Sequence, residues 1–141
     1  MERAAGGGYN GLPNAPYRFV LIAGVSTSGH MLTLLILYVV TGLLLAGLAV
    51  PLIKRKVPPN IWYGFRVKAT LENEAVWYPV NEYTGWWLLR IGLMTVVVAV
   101  VAYFTTAANV GVYASIVGGA VVGSLTVAVL KSFLYLRHLT T

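Results

Sequence analysis

Side chains able to do chemistry are few in this chain, and most stand in one stretch. Cys and Asp are absent, and His30 and His138 lie near opposite ends. Without Cys there is no disulfide, no thiolate metal site and no thiol nucleophile. Two separated His with no Asp leave no HExxH motif and no paired-Asp metal pattern, so neither a metal nor a cofactor is expected. No P-loop or Gly-x-Gly-x-x-Gly opens a helix after a strand. The Ser and Thr hydroxyls have no base at a spacing that would activate them. What remains is Lys54–Arg90, which holds nine of the fourteen charges and all four Trp. Its chemistry is that of binding, through paired charges, amides and indole faces, and no enzyme is expected.

Within that stretch, Pro58-Pro59-Asn60 cannot continue a helix and marks a turn. Gly64 gives the backbone freedom beside Arg66. Thr70 is an expected N-cap, with Glu72 and Glu74 suiting the positive end of a helix dipole, so a helix is predicted from Leu71 onward. On it Glu74, Trp77, Asn81, Gly85 and Leu88 recur at three- and four-residue steps and form one stripe. Pro79 lies off the stripe and is expected to kink the helix. Arg66 is the expected partner of Glu74, with Glu72 or Glu82 as alternates. A plainer reading makes Trp77 an interfacial anchor. For Lys54-Arg55-Lys56 the plainer reading, a topology signal touching anionic lipid, is the favoured one.

The elements that position this segment are read from hydropathy. The chain has 141 residues, of which 58% are apolar and 10% charged, with a mean hydropathy of +0.77. That leaves too little polar surface for a soluble globule. Residues 31–53 contain no charge and match the roughly 20 helical residues that cross a bilayer. Residues 91–130 are also uncharged, and as one helix they would reach ~60 Å, about twice the hydrocarbon thickness. They must fold back, and Thr105–Gly111 is the weakest helical stretch. The expectation is therefore an all-α integral membrane protein with three spans, near 31–53, 88–106 and 110–130. A motif segment, 54–87, with a short helix lies between the first two.

Charge sets the orientation. With three spans, the segment after the first span and the C-terminus share a side, carrying Lys54, Arg55, Lys56, Arg66, Lys68, Arg90, Lys131 and Arg137. Arg3 and Arg18 lie on the other. The positive-inside rule puts the motif segment and the C-terminus in the cytoplasm and the N-terminus outside a bacterial cytoplasmic membrane. Trp86 and Trp87 sit at headgroup level, and Arg90, slightly inside the span, snorkels back. Residues 1–30 read as an extracytoplasmic tail whose apolar patch, Phe19–Val25, is too short to span. A less favoured reading makes the patch the apolar region of a signal peptide, against which the long preceding stretch with Pro13 and Pro16 speaks, and a third opens the chain at Met31. The net charge of +6 records topology, so no nucleic acid partner is expected. Gly42 and Ala46 in the first span, and Ser115, Gly119 and Gly123 in the third, let helices approach closely. Packing among the three spans is the favoured use of both rows, with a homo-oligomer as the other.

At the motif segment the sequence resembles the SdpI family of small bacterial multipass membrane proteins. The resemblance rests on Pro59-Asn60, Tyr63-Gly64-Phe65-Arg66, Thr70-Leu71, Asn73-Glu74, Trp77, Asn81 and Gly85. It covers a membrane domain of about residues 31–136. Two places depart from the family pattern: Val67-Lys68-Ala69 stands where a Pro often follows the Arg, and Glu82 where a basic residue often follows the Asn. The resemblance implies a protein that gives immunity to a secreted toxin peptide or signals by holding a cytoplasmic transcriptional regulator at the membrane. The expected site is Asn60, Gly64, Arg66, Thr70, Asn73, Glu74, Trp77, Asn81 and Gly85. A small membrane scaffold without a ligand is the alternative, and a lipid-headgroup enzyme at Arg66 and Glu74 a weaker one.

Overall fold

A computed structural model describes residues 16–106 and 109–140, with side chains described from residue 29 onward. Four helices follow in order: α1 Pro16–Ile53, α2 Lys68–Leu71, α3 Glu74–Thr105 and α4 Val110–Thr140. Among the described residues three stretches are long and apolar enough to cross a membrane: Gly29–Ile53, Glu74–Thr105 and Val110–Thr140. The expected architecture, three long apolar helices with a short helix between the first and second, is what the chain forms. In hydrocarbon only a helix satisfies its own backbone, which overrides the β character of the Val-rich run in α3.

The helix ends follow from local chemistry, with differences from expectation. α1 starts at Pro16, upstream of Met31, and Pro is well suited to a first helical position. The Phe19–Val25 side chains and residues 1–15 lie outside the described residues. α1 closes where Arg55 adopts a left-handed φ of 52°, with the Arg55 and Lys56 amides donating to the Leu52 and Pro51 carbonyls, both at 3.0 Å. Thr70 does not cap α3. It sits inside α2, its hydroxyl engaged by Phe65 and Val67, and Asn73 is the cap, accepting from the Ala75 amide at 3.0 Å. α3 remains helical through Pro79. Asn109 opens α4 by accepting from the Val112 amide at 3.0 Å; residues 107 and 108 of the expected hairpin lie outside the described residues.

Both other long helices pack chiefly on α3. The α1–α3 contact depends on missing side chains. A Cβ on Gly92 would stand 2.5 Å from the Gly42 carbonyl oxygen and 2.7 Å from the Ala46 nitrogen. A Cβ on Gly42 would meet the Gly92 carbonyl oxygen at 2.6 Å. These are backbone atoms that cannot move aside, so Gly42 and Ala46 lie at a close helix crossing of the small-residue kind. At one end of the bundle Met31, Ala99, Ala102, Tyr113 and Val117 form a buried cluster; at the other, Val76, Val80 and Leu136 pack with Phe65, Val67 and Tyr135. The α4 row does not do what was expected of it. Ser115, Gly119 and Gly123 are exposed, and a Cβ on either glycine meets nothing within 4 Å. The helical phase decides this: Tyr113 and Val117 turn inward, and the small row falls on the outer face.

Helix stagger creates the site. The 32 residues of α3 reach ~48 Å, well beyond a hydrocarbon core of about 30 Å. Gly85 packs against Leu52 and Ile53, the last turn of α1. The three turns of α3 before Gly85 therefore project past the end of α1. They run beside the last turns of α4, where the Thr84 and Ser132 hydroxyls meet at 2.9 Å and Tyr83 stacks on Tyr135.

Candidate functional site

Past the end of α1, the groove that α1 occupies along α3 would be empty, and residues 57–65 fold back to fill it. The stripe read from the sequence is the face that receives them. Gly85 meets α1, and one and two turns earlier Asn81 and Trp77 meet the loop. Trp77 is fully buried and its indole Nε1–H donates to the Val57 carbonyl at 2.7 Å. Asn81, 2% exposed, is the principal tie. Its Oδ1 accepts from the Phe65 amide at 2.6 Å, while Nδ2 donates to the Trp77 carbonyl at 3.0 Å and reaches the Phe65 carbonyl at 3.5 Å. One side chain thus meets both backbone polar groups of one loop residue, Phe65. Of the rest of the stripe, Glu74 is exposed and Leu88 half-buried.

The loop is shaped to meet that amide. Gly64 has φ +107°, a conformation L side chains rarely adopt, and a Cβ there would collide with Asn81 Oδ1. Asn60 builds the turn before it: Oδ1 accepts from the Trp62 and Tyr63 amides, each at 2.8 Å, and Nδ2 donates to the Pro58 carbonyl at 2.8 Å. Thr70, fully buried, closes the other side by accepting from the Val67 amide at 3.0 Å and donating toward the Phe65 or Val67 carbonyl. Asn73 then starts α3. Five of the nine expected site residues, Asn60, Gly64, Thr70, Trp77 and Asn81, therefore build and hold the loop, while Asn73 caps α3 and Gly85 packs on α1.

Arg66 and Glu74 do not form the expected pair. Arg66 is exposed and its Nη1 donates to the Ile61 carbonyl within the loop. The loop's attachment through Phe65 leaves Arg66 directed back over its own turn. The ion pairs among the described residues are Arg55–Glu82 at 2.7 Å and the exposed Lys68–Glu72 at 4.0 Å. Arg55 is thus more than a topology charge: its pair with Glu82 straps the end of α1 to α3. Lys54 and Lys56 are exposed.

Several participants had no clear signal in the sequence. Phe133 meets Phe65 edge-on at 4.9 Å between centroids, and Ser132 and Leu136 pack on the start of α3. They lie beyond Lys131, where the apolar run ends, though no Gly or Pro there stops the helix. Ile61 and Trp62 are the other omission. Trp62 is 84% exposed and Ile61 65%, both on the turn built by Asn60 and next to Arg66. Tyr63 turns inward; its hydroxyl is buried without a partner, and burial raises its pKa above the ordinary 10.0. The surface offered is an exposed indole, an isoleucine and a guanidinium on a braced turn, with the Glu74 carboxylate also exposed.

Trp86 is exposed, beside Arg55, Glu82, Tyr83 and Tyr135 at a shallow polar cleft, whereas Trp87 is half-buried with the Arg90 guanidinium 5.8 Å from its ring centre. Among the described residues no three His, Asp or Glu side chains converge as a metal site.

Neither the curated proteins nor the solved structures contain a match to this chain. A sequence profile of the SdpI/YfhL protein family does match, over residues 56–135, more than half of the chain. The matched region contains the loop, α2, α3 and most of α4, and so every residue of the braced turn from Asn60 to Gly85. The chain belongs to the SdpI/YfhL protein family.

Proposed function

We propose that the braced turn is a binding platform for a toxin peptide, a cytoplasmic regulator or both, and that the protein gives immunity or membrane signalling. The observation that supports this is the exposed Ile61, Trp62 and Arg66 on a turn held from beneath by Asn60, Gly64, Thr70, Trp77 and Asn81. Exposed Ile61 and Trp62 side by side offer an apolar face that a partner can cover, and Trp and Arg are the side chains that most often anchor interfaces. Pre-organising the turn removes the ordering cost from the binding step.

In this reading residues 54–87 and the C-terminus face the cytoplasm of a bacterium and the N-terminus lies outside. The eight basic residues from Lys54 to Arg137 support that orientation by the positive-inside rule. Reporter fusions at residues 70 and 108 test it: a cytoplasmic signal at 70 and an external one at 108 are expected, and the reverse overturns it. The functional test is to express the chain in toxin-sensitive cells and challenge them with secreted toxin peptides. Survival with the protein and killing without it are expected; equal killing removes the immunity reading.

A second reading, a membrane scaffold or self-assembling subunit, is favoured by one observation, the small residues Ser115, Gly119 and Gly123 on the outer face of α4. Crosslinking in native membranes distinguishes it, since a Ser115, Gly119 or Gly123 contact between copies would give a dimer band that Gly119→Leu abolishes.

A further inference from the structure

We infer that the groove between α3 and α4 binds one anionic phospholipid, its phosphate at Arg90 and an acyl chain along the helices. The groove has a volume of about 250 Å³ and is lined by Ile91, Met94, Val98, Val117 and Ala120, together with the hydroxyl-bearing Thr95 and Ser124. Arg90 and Trp87 stand at one end. That end is the one nearest the basic face: Gly85 is level with the last turn of α1, and Arg90 lies five residues further on, about 8 Å deeper at 1.5 Å per residue.

An arginine at that depth needs a counter-charge, because a guanidinium facing hydrocarbon is expensive. Arg90 is exposed, and among the described residues it has no carboxylate partner; it rests over the Trp87 ring instead. The exposed Arg90 guanidinium, without a carboxylate partner among the described residues, stands at one end of an apolar slot with no acidic group in its lining. A lipid phosphate supplies the counter-charge there, and the acyl chain below it fills the slot. The slot runs from Arg90 toward the middle of the bundle, which is the direction an acyl chain takes from its headgroup. The Arg90 charge, with no acidic group in the lining to offset it, selects an anionic headgroup over a zwitterionic one.

Native mass spectrometry of the full chain in detergent micelles, with equal added phosphatidylglycerol and phosphatidylethanolamine, tests the assignment. The expected result is one retained phosphatidylglycerol at a several-fold preference, reduced to parity by Arg90→Gln and unchanged by Lys131→Gln, an exposed cation outside the groove. Ala120→Leu, which fills the slot and keeps the charge, should lower retention of the lipid and carries the test if Arg90→Gln fails to accumulate. Equal retention of the two lipids by the wild-type chain, or an equal loss of preference in Lys131→Gln, overturns the proposal. So does a second protein copy or a peptide in the slot.

Discussion

Asn81 and Gly64 act as a matched pair. Asn81→Ala leaves the Phe65 amide without its acceptor inside the packed loop, at a cost of about 1–3 kcal/mol. Asn81→Asp keeps the acceptor but sets a carboxylate against the Trp77 and Phe65 carbonyls, so it should not restore stability. Gly64→Ala should cost about 1–3 kcal/mol from backbone strain alone, with the collision at Asn81 added. Thermal unfolding in micelles and hydrogen exchange of the Phe65 amide measure these effects. Tyr63 gives a pH test with a defined sign. Its folded pKa is raised by burial, so its contribution to stability is complete below the ordinary value of 10.0 and is lost as pH rises through the folded value. Tyr63→Phe removes a buried hydroxyl that has no partner. It should be near neutral at pH 7 and should flatten the alkaline loss of stability seen by melting at pH 9–11.

At the scale of elements, the α1–α3 crossing and the outer face of α4 make opposite predictions for the same substitution. Gly92→Leu drives carbons into the Gly42 and Ala46 backbone, and should cost at least about 1–3 kcal/mol or prevent accumulation. Gly119→Leu enters open space and should leave monomer stability within about 0.5 kcal/mol. Quantified accumulation and melting in micelles check both. The comparison also marks what the sequence could convey. Three long helices were legible because a charge-free run has one solution in lipid. The stripe Trp77, Asn81 and Gly85 was legible because helical period places these residues on one face. What that face meets was not, since Val57 and Phe65 reach it through a loop whose path depends on Asn60 and Gly64 together. The expected Arg66–Glu74 pair came from charge alone, and charge carries no information on how Phe65 is tied down. The phase of α4 that turned Gly119 and Gly123 outward is set by Tyr113 and Val117, which small-residue spacing does not weigh.

At the scale of the molecule, α3 and α4 extend past the C-terminal end of α1, and the chain between α1 and α3 fills the vacancy this leaves. The long apolar helices and the braced turn are thus one packed unit, joined by Gly85, the Arg55–Glu82 pair and the Thr84–Ser132 contact. The residues that brace the turn and those it displays are different: Trp77 is fully buried, whereas Trp62 is 84% exposed. Trp77→Ala should destabilise the fold by about 3–5 kcal/mol, typical of an emptied Trp site, and so lower membrane accumulation. The most direct measurement is survival of toxin-sensitive cells carrying wild type or the double variant Trp62→Ala, Arg66→Ala at matched membrane levels. The platform account predicts that the double variant accumulates like wild type and loses protection. Equal protection by both, or no protection by wild type, would contradict it.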